Sequence, residues 1–212
     1  MSKLETNTID TVSGTSTLQV GSTNTSTITL GVSGDTINVP SGVTIANSGT
    51  ATGFGGGITQ ADLWRYTGST STSNTRTVIS ADLERADDAS FGYIGDGMTQ
   101  SSGIFTFPET GIYYVAAQMN YYSSSTDSRY VVSIIQATTD NSSYDIVAMG
   151  RSYVNVTYGA TYTNAIASCY VDVTNTSNVK VKFLTQSEAS QSMNGNTDQN
   201  ETFFTFIRLG DT

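Results

Sequence analysis

Between Ile112 and Tyr122 the chain reads Ile-Tyr-Tyr-Val-Ala-Ala-Gln-Met-Asn-Tyr-Tyr, and its residues sort by parity. Tyr113, Val115, Ala117, Met119 and Tyr121 fall on one side of an extended backbone, and Tyr114, Ala116, Gln118, Asn120 and Tyr122 on the other, because successive side chains of a strand point to opposite faces. A helical repeat would mix the two sets, so this stretch is a half-buried strand. It is reached through Gly103-Ile-Phe-Thr-Phe-Pro-Glu-Thr-Gly111, where Pro108 and Gly111 mark a turn after a first short run, Ile104–Phe107.

Other β-type runs, bounded by Gly, Asn, Asp and Ser, lie near 62–67, 76–80, 90–94, 130–138, 144–154, 161–173, 178–185 and 202–209. Helical periodicity surfaces only around Ala81–Ala86, too short to anchor a fold. About ten short strands predict an all-β sandwich or jelly roll over 61–212. Within it, Val179, Val181 and Phe183 against Lys180 and Lys182 predict a surface strand with one wet face. Thr202 to Leu209 is apolar almost throughout and predicts a central strand buried on both faces.

Residues 1–52 differ in kind. Every aromatic residue lies from Phe54 onward, and the charges before it are Lys3, Glu5, Asp10 and Asp35. Apolar residues come in alternating pairs, Leu18/Val20, Ile28/Leu30, Ile37/Val39 and Val43/Ile45, each resembling a very short strand before a turn. One such chain cannot bury enough apolar surface to offset its ordering entropy, whereas three wound about a common axis can. The expectation is an N-terminal β-rich fibrous stem over 1–52; composition alone equally allows a flexible Ser/Thr-rich tail. Gly53-Phe-Gly-Gly-Gly57 lacks the Gly-Lys-Ser/Thr of a phosphate loop and predicts a glycine-rich hinge over 53–60.

Composition narrows function. Eighteen acidic against nine basic residues, a net charge of −9, argue against nucleic acid, which needs clustered Lys and Arg. The start, Met-Ser-Lys-Leu-Glu, carries no export signal, and no apolar stretch approaches the ~20 residues that span a bilayer, so no membrane insertion is expected. Histidine is absent, which removes the commonest general base, the usual triad partner and the usual zinc ligand. Cys169 has no partner for an internal disulfide and is expected as a small buried hydrophobe. An enzyme would have to use carboxylates. Glu84, Asp87, Asp88 and Asp96 form the densest group, but acidic residues beside turns are ordinarily solvated, and no catalytic residue is expected. Asp140 and Asp145 are hard oxygen donors, yet no Asp-x-Asp-x-Asp-Gly loop accompanies them, so neither metal nor cofactor is expected.

Phe105, followed at fixed spacing by Gly111-Ile-Tyr113, resembles the strand-turn-strand signature of the C1q/TNF-like jelly roll, and the Phe-rich ending resembles that family's last strand. The resemblance covers about 62–209 and implies a compact homotrimer. Twelve tyrosines suit that, since an amphipathic ring can bury its body at a threefold interface while its hydroxyl reaches water. Thr17-Leu-Gln-Val-Gly-Ser22, Gly34-Asp-Thr-Ile-Asn-Val-Pro-Ser-Gly-Val-Thr-Ile45 and Ala61-Asp-Leu-Trp-Arg65 resemble fibre proteins of marine bacteriophages. That similarity implies a virion location: a tail, collar or head fibre docked on other virion proteins through its stem, with a head that attaches to a host surface glycan or protein. The alternative is a capsid decoration or capping protein with a purely structural role.

Strand parity says where a head of this kind binds. If both domain termini lie at one end, the connections 123–129, 155–160 and 186–201 are distal, and 139–143 and 174–177 face the stem. Long polar loops on a rigid scaffold are where recognition concentrates. The candidate receptor-binding residues are Tyr122, Asp127, Arg129, Asn155, Tyr158, Asn194 and Asp198, offering aromatic stacking and hydrogen bonds. Otherwise these loops are simply the hydrophilic ends of strands.

Overall fold

The computed structural model describes residues 20, 27–31, 33–46, 57–157 and 159–212. The chain divides into two units, Met1–Thr52 and Gly53–Thr212. In the first, the described residues form no strand. Turns at 33–34 and 41–42 separate segments without regular structure, and Val43 N–H donates to the Pro40 carbonyl at 3.2 Å. Val20, Ile28, Leu30, Ile37, Val39, Val43 and Ile45 are all exposed, so these side chains find no cover among the described residues. Leu18 lies outside the described residues.

Among its described residues the second unit contains thirteen strands: β1 (Ala61–Tyr66), β2 (Ser69–Thr72), β3 (Thr77–Val78), β4 (Leu83–Arg85), β5 (Thr99–Ser101), β6 (Ile104–Thr106), β7 (Gly111–Ser123), β8 (Ser128–Thr138), β9 (Asp145–Val154), β10 (Thr161–Val173), β11 (Lys180–Ser187), β12 (Gln191–Asn194) and β13 (Phe203–Gly210). All pairings are antiparallel. The first sheet runs β10-β7-β13-β1-β4, with β12 and β2 continuing beside the far half of β7. The second runs β5-β6-β11-β8-β9, with β3 also on β11. No helix forms among the described residues.

The alternation of β7 is what joins the sheets. Tyr113, Val115, Ala117, Met119 and Tyr121 are all buried, facing Val131 and Ile135 of β8 and Val181 and Phe183 of β11 in one core. Phe105 lies at its centre, with ring centroids 5.5 Å from Trp64, 5.4 Å from Phe183 and 5.2 Å from Phe206. Phe183 and Phe204 stack at 4.1 Å. Burying each such ring contributes about 1.5–3 kcal/mol. The turn into β6 needs Gly103: its φ is +79°, and a Cβ there would stand 2.2 Å from the Ile79 carbonyl oxygen.

Along one side the sheets meet directly. A Cβ at Gly150 of β9 would fall 1.6 Å from the Ile166 carbonyl oxygen of β10, so only glycine permits this approach. Ser152 and Thr163 hydroxyls lie 2.6 Å apart beside it. On the other side a cleft of about 240 Å³, lined by Tyr66, Thr70, Val78, Ile79, Asp82 and Met193 among others, separates the sheets.

Registers fix polarity. Ala61 pairs with Ile207, Gly210 with Ile112 and Val173 with Gly111, which puts both ends of the strand set at one end of the sandwich. Thr161 with Ser123, Ser128 with Val154 and Ser187 with Val131 mark the far end.

Several expectations need correction. The run 90–94 is a loop whose one ladder contact is the isolated bridge Ala61–Ile94. Ala81–Ala86 contains β4, because Leu83 to Arg85 pair with β1. The last strand is not buried on both faces: Phe204 and Phe206 enter the core, but Phe203, Thr205 and Ile207 are half-buried on a face that no second layer covers. β11 is central in its sheet rather than a surface strand, and Lys180 is buried, its ammonium donating to Thr106 Oγ1 at 3.0 Å and to the Thr176 carbonyl at 2.6 Å. Desolvation pulls its pKa down. Cys169 is half-buried against the core, and burial pushes its thiol up.

β1 fastens the 86–98 segment. Gln60 Oε1 accepts from Asp96 N–H at 2.9 Å, and Asp62 from Met98 N–H at 2.7 Å. Arg65, fully buried, donates to Glu84 (2.7 Å), Asp87 (2.9 Å) and Asp88 (2.5 Å). Three of the carboxylates weighed for acid chemistry are therefore counter-ions of one guanidinium, whose burial needs them.

Candidate binding surface

At the far end, two open grooves share Tyr153 as a wall. One, of about 380 Å³, is lined by Asp127, Ser128, Arg129, Tyr153, Val154 and Asn155. The other, of about 530 Å³, is lined by Tyr153, Asn155, Thr157, Thr161, Tyr162 and Thr163. Tyr153 stands 68% exposed at the end of β9, and Tyr162 63% exposed at the start of β10. Two open aromatic rings among hydroxyls and an amide can take a planar or ring-shaped ligand by stacking and hydrogen bonding.

Asp127, Arg129 and Asn155 thus lie along one groove. Much of their hydrogen-bonding capacity is already used. Asp127 Oδ1 accepts from Val156 N–H at 2.7 Å, and Asn155 Oδ1 from Thr157 N–H at 2.9 Å, which fixes the turn between β9 and β10. Arg129 donates through its backbone N–H to Glu188 Oε2 at 2.9 Å and through Nε to Oε1 at 2.6 Å. That hydrogen bond holds the Glu188 carboxyl below the usual carboxylate range and raises the arginine in turn. Tyr122 flanks the second groove, its ring 4.8 Å from that of Tyr162. Tyr158 lies outside the described residues.

Asn194 and Asp198 are not part of this end. Instead of forming one distal loop, 186–201 folds back as β12 along β7, which places Asn194 beside Asn120 and Ser69. The turn carrying Asp198 lies near β1 and β4, where Asn196 N–H donates to the Tyr66 carbonyl at 3.0 Å and Thr197 Oγ1 to Glu84 at 3.0 Å. Parity counting failed here because Gln-Ser-Met-Asn, with one apolar residue, carries no strand signal. Tyr153, Tyr162 and Glu188 were missed; Tyr153 and Tyr162 were discoverable as aromatic ends of two alternating runs flanking a polar loop. Asp140, weighed as a cation ligand, accepts instead from Ser142 and Ser143 N–H, both at 2.8 Å, and these hold its carboxyl far below the usual range.

A second surface is larger. On the outward side of β13 or β12, β7 and β10, side chains line up in rows: Ile207, Tyr114, Tyr170; Thr205, Ala116, Ser168; Phe203, Gln118, Ile166; Asn194, Asn120, Asn164; Ser192, Tyr122, Tyr162. None of these is charged. Beyond the first row, Ile112 pairs with Asp172. Tyr170 is 71% and Ile166 59% exposed, a contiguous uncharged and partly aromatic face left open to solvent.

No protein-family model matches the chain, and no curated protein does. Solved structures match by shape. The Eiger TNF of S. frugiperda aligns at 16% identity over 72% of this chain and 93% of that one, with a TM-score of 0.54. The PRD1 vertex protein P5 aligns at 14% identity over 73% and 100%, with a TM-score of 0.44. The globular domain of zebrafish complement 1qA aligns at 11% identity over 73% and 99%, also at 0.44. At such identities likeness extends to fold alone, and the Eiger alignment is the one that carries it. The second unit has an all-β jelly-roll fold similar to that of the Eiger TNF.

Proposed function

We propose that this chain is a virion fibre: a homotrimer in which 1–52 form a β stem docked on other virion proteins, 53–60 a glycine-rich hinge, and 61–212 a head that attaches the particle to a host surface. What carries the trimer is the uncharged outward face of β13, β7 and β10, with Tyr162, Ile166 and Tyr170 exposed along one edge of the sheet. At the opposite edge Phe91, Tyr93 and Ile94 are exposed as well. Two unlike apolar surfaces at opposite edges of one sheet favour head-to-tail association that closes into a ring. The exposed apolar residues of the first unit favour the same conclusion, since further copies would supply their cover. The fibre assignment rests on the phage-like phrases of residues 17–22, 34–45 and 61–65.

Attachment is assigned to the grooves around Tyr153. Three heads presented together make weak single contacts effective through avidity. Sedimentation equilibrium of the full chain is expected to give three times the chain mass; a monomer at every concentration overturns the trimer. Tyr153→Ala with Asn155→Ala is expected to lower adsorption of the isolated protein to host cells without altering its mass, and unchanged adsorption removes the assignment of this site. Imaging of particles carrying the labelled chain is expected to show a projecting fibre. Density clamped flat across capsid subunits would instead favour a decoration or capping role.

A further inference from the structure

The cleft on the open side of the sandwich shares no lining residue with the far-end grooves or with the rows of the outward face. Thr70 of β2, Thr77 of β3, Ser80 and Asp82 are exposed along it, and Tyr66 and Ile79, both nearly buried, form its floor. Asp82 is the one charged residue in that lining. No Lys or Arg among the described residues forms an ion pair with it.

The fold holds this carboxylate in place. Asp82 adopts a φ of +55°, in the left-handed region that Asp tolerates better than most residues. Its carbonyl is fixed there by Thr67 N–H at 2.8 Å and Thr67 Oγ1 at 3.3 Å. Gly68 then leaves room. A Cβ there would stand 2.6 Å from Asp82 Oδ2 and 2.8 Å from the Tyr66 hydroxyl, so carboxylate and phenol converge where a side chain would be. The backbone at Gly68 is not left-handed, so glycine supplies space here and not a turn. Burial and the charge of Asp82 both push the Tyr66 hydroxyl pKa up, and the Thr70 hydroxyl bonds to it.

We propose that the cleft binds a small primary ammonium ion carried on a short apolar body, such as an alkylamine. An ammonium has donors and no acceptor, and the cleft offers a carboxylate and hydroxyl oxygens to receive them. An anion would meet Asp82 with like charge, and a purely apolar ligand would strip water from the carboxylate without replacing it. Ile79 and Val78 supply apolar surface for the body of the ligand. The volume, about 240 Å³, admits a body somewhat larger than the benzene held by an engineered void of about 150 Å³. The net charge of −9 also raises the local concentration of cations over that of anions. This site is independent of attachment and of assembly.

The test follows amide chemical shifts of the full chain as butylammonium chloride is added, with butanol and sodium butyrate presenting a similar body under a neutral and an anionic head. Butylammonium is expected to move the amides of Thr70, Ser80 and Asp82 saturably in the millimolar range. Butanol should bind about fivefold more weakly, and butyrate should leave these amides unmoved. Asp82→Asn keeps a residue suited to left-handed backbone and is expected to weaken butylammonium about fivefold. Gly68→Ala, which displaces the carboxylate from the phenol without removing charge, is expected to weaken it as well. Equal binding of butanol and butylammonium, or wild-type affinity in Asp82→Asn, overturns the ammonium assignment. Shifts that do not saturate, or that fall on residues away from the cleft, overturn the site.

Discussion

The two sheets of the sandwich have outward faces built on the same parity rule, and the chain completes one and leaves the other open. On the β8-β11-β9 side, Val132, Ile134 and Leu184 form a cluster of their own, separate from the main core, and Tyr130, Val78 and Met149 pack against it. Lys182 lays its ammonium 3.9 Å over the Tyr144 ring, and Tyr130 donates its hydroxyl to Asn74 at 2.7 Å. Long side chains bury the apolar ones and keep their own heads in water. On the β13-β7-β10 side the outward residues are short, amide, aliphatic or aromatic, and nothing among the described residues covers Ile166 or Tyr170. The same strand chemistry thus yields a finished surface where charged arms are supplied and an unfinished one where they are withheld.

That contrast can be broken by experiment. The largest effect is expected from Ile134→Ala, which opens a hole in the self-covered face and should cost about 2–4 kcal/mol of folding stability. Chemical denaturation should show the same loss at every protein concentration. Ile166→Asp, on the open face, should weaken assembly by about 2 kcal/mol or more and shift the unfolding of the separated chain by no more than about 0.5 kcal/mol. If the two substitutions behave alike, the faces are not different in kind. The smallest effect belongs to the far end. Glu188 has its folded pKa depressed below 4.5 by Arg129, so its stabilising contribution is complete above that value and is lost as pH falls through the lowered one. Melting of wild type against Glu188→Gln from about pH 6 to about pH 3 should show the two curves converging at the acid end; a constant offset removes the ion pair from the account.

Legibility followed burial. β7 was readable because its two faces meet different surroundings, core and open face, and alternation records that difference directly. β13 was misread for the complementary reason: apolar residues on both faces indicate that both will be covered, without saying that the second cover comes from outside the single chain. β2, β4 and β12 carry little apolar signal, and their pairing is settled by the long neighbours they lie against, a tertiary effect that overrides local preference. The far-end residues inherited both outcomes. Asp127, Arg129 and Asn155 flank long, well-patterned strands and converge, whereas Asn194 and Asp198 followed the unseen β12 away. Arg129 was read as a candidate ligand contact without its partner Glu188, which lies 59 positions away, where no local pattern links the two.

Gly150 has a mechanical side. The sandwich is bound like a book, with its spine where β9 and β10 lie main chain against main chain, and its fore-edge at the cleft beside Tyr66 and Met193, closed by the short strands β2 and β3. Thermal opening of such an object starts at the fore-edge, so amide protons of β2 and β3 are expected to exchange well before those of β9 and β10. A methyl group at position 150 would crack the spine instead, and the best-protected pages would become the first to turn.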